Sequence, residues 1–109
     1  MPAIEIKKRD WKLFRERLPG WQEKYMEKLV AEYAAYLQRD APASTKIWEM
    51  EIRIKEDKRR PGVLLSLEKK NVDVDLMRLM KDCAIEEKDL EGFWLDLIDR
   101  VIELSGVDW

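Results

Sequence analysis

Histidine is absent from these 109 residues, cysteine occurs once, and the four glycines stand far apart. Without histidine the chain lacks the usual general base near neutral pH and the commonest metal ligand, so catalysis would have to rest on carboxylates and lysines. A single thiol, Cys83, excludes an internal disulfide; its apolar neighbours in a predicted helix give it the role of a small buried side chain. Glycines at 20, 62, 92 and 106 are too scattered to build a phosphate-cradling loop. No apolar run approaches the ~20 residues of a membrane-spanning helix, and no secretory leader opens the chain, so a cytoplasmic protein that keeps off membranes is expected. Metal-ligand spacing is missing as well. The carboxylates Glu86, Glu87, Asp89 and Glu91, and the set Asp96, Asp99 and Glu103, read as solvated helix faces rather than as Mg²⁺ sites. Nothing points to a reaction or a cofactor, and a non-enzymatic role is expected.

What the chain has in quantity is charge and tryptophan. Lys and Arg number 21 against 23 Asp and Glu, a formal net charge of −2, and there are five Trp. Residues 1–60 hold 15 basic and 11 acidic side chains and residues 61–109 hold 6 and 12, so the halves stand at +4 and −6. A balance near zero gives no global field toward nucleic acid or an anionic membrane. The length suits one domain with its own core, covering 1–109 with residues 1–8 as an N-terminal arm.

The strongest pattern is Trp21–Leu37, WQEKYMEKLVAEYAAYL. At 100° per residue its apolar side chains fill an arc of about 180°, wider than the ~100° stripe of a surface helix. A helix at the domain centre is therefore expected, with most rings in the core and Tyr33 and Tyr36 as candidates for a flank that meets a partner. Before it, Asp10 reads as the N-cap of a short helix Trp11–Leu18 that Pro19-Gly20 ends. After it, Asp40–Ser44 forms a break and Ser44 or Thr45 can cap a third helix, Lys46–Lys58.

That third segment also alternates as a strand would, through Trp48, Met50, Ile52 and Ile54. Paired with Val63–Leu67 it would make a hairpin at about 47–67 and an α+β domain. The Lys/Glu alternation in Lys55–Arg60 and the lack of a hairpin dipeptide favour helix. Val63, Leu64 and Leu67 then form a short apolar turn of helix, Asn71 or Asp73 caps a helix through Cys83, and a last helix spans about Lys88–Leu104 until Gly106 stops it. The expected fold class is all-α, a compact bundle of four to five helices around a long central one.

Three stretches, KRDWKLFRERLPGWQEKYMEKL at Lys8–Leu29, PASTKIWEMEIRIKEDKRRPGV at Pro42–Val63 and DCAIEEKDLEGF at Asp82–Phe93, carry a resemblance. In them the chain resembles a family of small bacterial proteins often given the automated name "multidrug transporter". The resemblance implies a helical third segment, because the family has a basic residue where Ile52 stands here. It also implies an accessory protein of a mobile element. The family name itself has no functional weight, since transport needs apolar spans this chain lacks.

Two functional classes follow as expectations. The first is a protein-interaction module, in its sharper form a mobile-element inhibitor of a bacterial defence nuclease, like an anti-CRISPR. There the acidic face Asp96, Asp99 and Glu103 occupies a basic nucleic-acid channel, and a homodimer is possible through Tyr33, Tyr36 or Trp109. The second is a nucleic-acid-binding accessory protein using Lys55, Lys58, Arg59 and Arg60, with Trp48 near for stacking.

Overall fold

The computed structural model describes residues 5–106, and those residues are helical with no strand among them. Four α-helices follow in order: α1 (Lys8–Gln38), α2 (Ala43–Asp57), α3 (Val72–Lys81) and α4 (Leu95–Ser105), with 3₁₀ turns at Lys69–Asn71 and Glu87–Leu90. The all-α expectation stands and the hairpin alternative falls. Trp48, Met50, Ile52 and Ile54 lie on α2, and residues 64–68 lie in neither helix nor strand.

The break expected at Pro19-Gly20 does not occur. Both residues face solvent inside a continuous 31-residue helix, where the carbonyl that proline leaves unpaired can be satisfied by water, which softens the usual penalty for proline in a helix. At ~1.5 Å per residue α1 is about 46 Å long, which accounts for most of the molecule's 52 Å long axis.

The hydrophobic core gathers at one end of that rod. Phe14 and Leu18 of α1 meet Val72, Leu76, Met77 and Leu79 of α3, Leu97, Val101 and Leu104 of α4, and Ile85, Leu90 and Phe93 from the connection between them. Ile6 also enters this core, so the described part of the expected N-terminal arm belongs to the domain; residues 1–4 lie outside the described residues. Trp11 and Trp21 flank the Phe14 ring at 6.5 and 6.4 Å between centroids. We call this end the head.

The other end is an arm. Of the stretch Trp21–Leu37, expected at the centre, only Tyr25 and Leu29 are buried, and Val30 and Leu37 are exposed. Helix α2 returns along it with no apolar side chain fully buried, Met50 and Ile54 being half-buried; its one buried residue is Asp57. The α1 residues 11–18 and the C-terminal helix build the head core, and continuous α1 carries residues 21–37 away from it.

The remaining corrections have local causes. Val63–Leu67 is not a turn of helix: Val63 belongs to the turn that starts at Pro61, its N–H and that of Leu64 both reach Arg60 O at 2.9 Å, and residues 64–68 form no regular element. The last helix starts at Leu95 rather than Lys88, since Gly92 takes φ +96° and the preceding turn closes on itself through reciprocal bonds of Glu86 and Asp89. Cys83 is exposed, not buried. It occupies the left-handed position after α3 at φ 62°, where Ala84 N–H reaches Leu79 O (2.9 Å) and Cys83 N–H reaches Met80 O (3.0 Å). That is the helix-ending geometry that usually takes glycine, and it turns the thiol outward.

Asp10 is likewise not an N-cap of its own helix. It sits in the first turn of α1 and is buried, and its Oδ1 accepts the Trp94 N–H at 3.1 Å where α4 begins. Arg17 donates to Asp89 O at 3.1 Å and to Glu91 O, Arg9 donates to Gly92 O, and the Lys7 ammonium lies 4.3 Å over the Trp94 ring. These contacts tie the loop before α4 to the start of α1.

Candidate interaction surfaces

The arm is joined across its inner seam by polar side chains. Tyr33 donates its hydroxyl to Asp57, and Tyr36 donates to Glu49, which also pairs with Arg39. Arg53 stands 3.4 Å from Glu32 and 3.5 Å from Asp57, and Lys46 Nζ donates to Leu37 O at 2.8 Å. Burial and the Asp57 carboxylate push the Tyr33 hydroxyl pKa up to about 12, and burial with the Glu49 bond raises Tyr36. Both tyrosines are half-buried, and their hydroxyls join α1 to α2.

The basic set is divided. Lys55 pairs with Glu51 at 2.9 Å. Arg60 spans Asp57 (3.0 Å) and Asp82 (2.9 Å), which anchors the end of α2 to the end of α3. Lys58 and Arg59 are exposed. Trp48 lies 65% exposed on α2.

The acidic set is brought together. Asp96, Asp99 and Glu103 project from the outer face of α4, opposite Leu97, Val101 and Leu104 in the core. No salt bridge holds any of the three among the described residues. Leu95, 73% exposed, and Ile102 fall in the same outward arc. Arg100, the one cation of α4, turns aside to Asp73 at 3.3 Å. Glu103 stands in the last turn, which has no basic residue. A carboxylate there opposes the negative end of the helix macrodipole, so the charge serves no purpose in folding α4. Trp109 lies outside the described residues.

Two features have weaker sequence signals. The first is a set of buried acids, Asp10, Asp57, Asp73 and Asp75; Asp10 Oδ2 and Asp75 Oδ2 meet no hydrogen-bonding partner among the described residues. Nothing in composition or spacing marks them. The second is an apolar flank along one side of the arm. A groove of about 200 Å³ runs between α1 and α2 there, lined by Met26, Leu29, Val30, Tyr33, Ile54 and Val63 with Asp57 and Lys58. Its signal was present: Ile47, Trp48, Met50, Ile52 and Ile54 span about 200° of a helix at 100° per residue, more than one neighbouring helix covers.

No helix of the described residues is long and apolar enough to cross a membrane, and no cluster of metal-ligating side chains occurs among them. Compared with known proteins, the chain matches no family model, no curated protein and no solved structure.

Proposed function

We propose that the chain is a non-enzymatic interaction module that holds a basic protein surface with the outer face of α4. The observation that carries this reading is the set of three carboxylates, Asp96, Asp99 and Glu103, with no salt bridge among the described residues, presented with exposed Leu95 and Ile102 on one helix. Carboxylates at helical spacing give long-range attraction to a cationic surface, and the two aliphatic side chains supply apolar area for close contact. Basic nucleic-acid channels of nucleases are surfaces of this kind. The resemblance to mobile-element accessory proteins agrees with an inhibitor of a bacterial defence nuclease.

Nucleic-acid binding by Lys55, Lys58, Arg59 and Arg60 is the weaker reading, because two of the four cations already hold carboxylates. The test is binding to candidate nucleases from the native host at low and moderate salt. The wild type should bind with affinity that falls as salt rises. Asp99→Lys with Glu103→Lys should lose at least about tenfold in affinity, while the melting temperature holds or rises because the dipole conflict at Glu103 is removed. Tight binding unchanged by this charge reversal would rule the reading out.

A further inference from the structure

We infer that the arm is a dimerisation element: two copies pack their α1–α2 hairpins flank to flank across a two-fold axis, making a four-helix bundle. This inference uses none of the α4 residues and stands apart from the nuclease reading.

The flank is apolar and uncovered within one chain. Val30 (64% exposed), Leu37 (46%) and Ile47 (64%) border the groove and its continuation toward the arm's tip. On α1, Met26, Val30, Ala34 and Leu37 fall within about 80° of one another, and on α2 Met50, Ile54 and Ile47 fall within about 60°. These two arcs lie on the same side of the hairpin, while Glu32, Arg53 and Glu49 occupy the other. Helix α2 has no apolar side chain in the head core, so its amphipathic pattern is satisfied only if something covers this side.

Charge complementarity selects a second copy as the occupant. The groove brings residues 26–33 of α1 level with the last turn of α2, Lys58 and Val63 just beyond it. A two-fold axis along the arm sets α1 of one copy against α2 of the other at the same level. Glu27 then faces Lys58 of the second copy, and Lys58 faces its Glu27. Both side chains are exposed, and neither has an ionic partner among the described residues. Nearer the tip Leu37 meets Ile47 of the second copy, and in the middle Ala34 lets the helices approach. Every neighbouring pair of helices in such a bundle is antiparallel, the arrangement short-looped hairpins favour, and the surface is self-complementary as a closed two-fold dimer requires.

Helix α2 is ~22 Å long, so a flank two helices wide sits at the low end of stable interface sizes, and micromolar association is expected. The test is sedimentation of the full chain from about 1 to about 200 µM, with circular dichroism of each variant as a check of folding. The wild type should shift from monomer to dimer across this range. Ile47→Glu and Glu27→Lys should each weaken the dimer at least about tenfold with unchanged helicity, and Lys58→Glu added to Glu27→Lys should restore it. A wild type that stays monomeric throughout overturns the inference. So does a dimer that both single variants leave intact, or a Glu27→Lys defect that Lys58→Glu fails to repair.

Discussion

Gly62→Ala is expected to destabilise the fold by about 3 kcal/mol, at the upper end of overpacking changes, whereas Gly20→Ala, the same chemical change, should stabilise it by about 0.5–1 kcal/mol. A Cβ on Gly62 would lie 2.4 Å from Tyr25 Cδ1, 2.5 Å from Cγ and 2.8 Å from Cε1. Because Cγ lies on the ring axis, turning the ring about χ2 leaves it in place, and a change of χ1 would pull the buried ring out of its packing. The turn cannot easily retreat either. Pro61 O accepts Gln22 Nε2 at 3.0 Å, and Arg60 is held by Asp57 and Asp82. Tyr25 is itself buried, with its hydroxyl 3.5 Å from Asp82. The glycine is thus needed for close approach and not for an unusual φ. At Gly20 nothing lies within 4 Å, and alanine there only improves helix propensity. Urea denaturation of the two variants beside the wild type checks both signs.

Asp75→Asn should raise stability at pH 7.5 by about 1–2 kcal/mol, allowing for solvent screening of the acid, and should flatten the stability profile between about pH 4 and 6. Burial raises the Asp75 pKa from 3.8 to about 6; Arg78 opposes the shift, and Asp73 and Glu68 add to it. A carboxyl whose pKa is higher folded than unfolded binds more protons in the native state across that window. Stability contributed by this group is therefore greatest at the acid end and falls as pH rises from about 4 through 6. Above that the ionised side chain sits buried with Oδ2 unpartnered among the described residues. Asparagine keeps the shape of the protonated acid and does not titrate. Its profile should run level where the wild type declines, as denaturation at pH 4.5, 6 and 7.5 will show.

Helical periodicity was enough to identify α3 and the apolar side of α4, because each rests on a local 3–4 spacing; α2 and with it the all-α class needed the Lys/Glu alternation of Lys55–Arg60 as well. The long-range outcome was not legible in the same way. Whether Pro19 ends a helix depends on whether its carbonyl partner faces water, which is a property of the whole molecule. Asp10 has the residue type of an N-cap, yet its carboxylate accepts the Trp94 N–H just ahead of α4, 84 residues further along. Tyr33 and Tyr36 fit an aromatic core stripe, but Asp57 and Glu49 on the returning helix decide where their hydroxyls go. The acidic face was readable since Asp96, Asp99 and Glu103 share an arc by spacing alone. Adjacency in sequence did not reveal the carboxylates that hold two of the basic group, Lys55 and Arg60.

The division into an apolar head and a polar-seamed arm organises both surfaces: the head fixes the α4 face, and the arm is left with an uncovered side. Helices whose side chains make few buried apolar contacts open at low free energy. Amide hydrogen exchange on the full chain tests this most directly. In dilute solution residues 43–57 should exchange much faster than residues 72–81, with protection along α1 falling beyond Leu29, and the arm should slow as concentration rises. Protection of residues 43–57 equal to that of residues 72–81 in dilute solution would contradict the account.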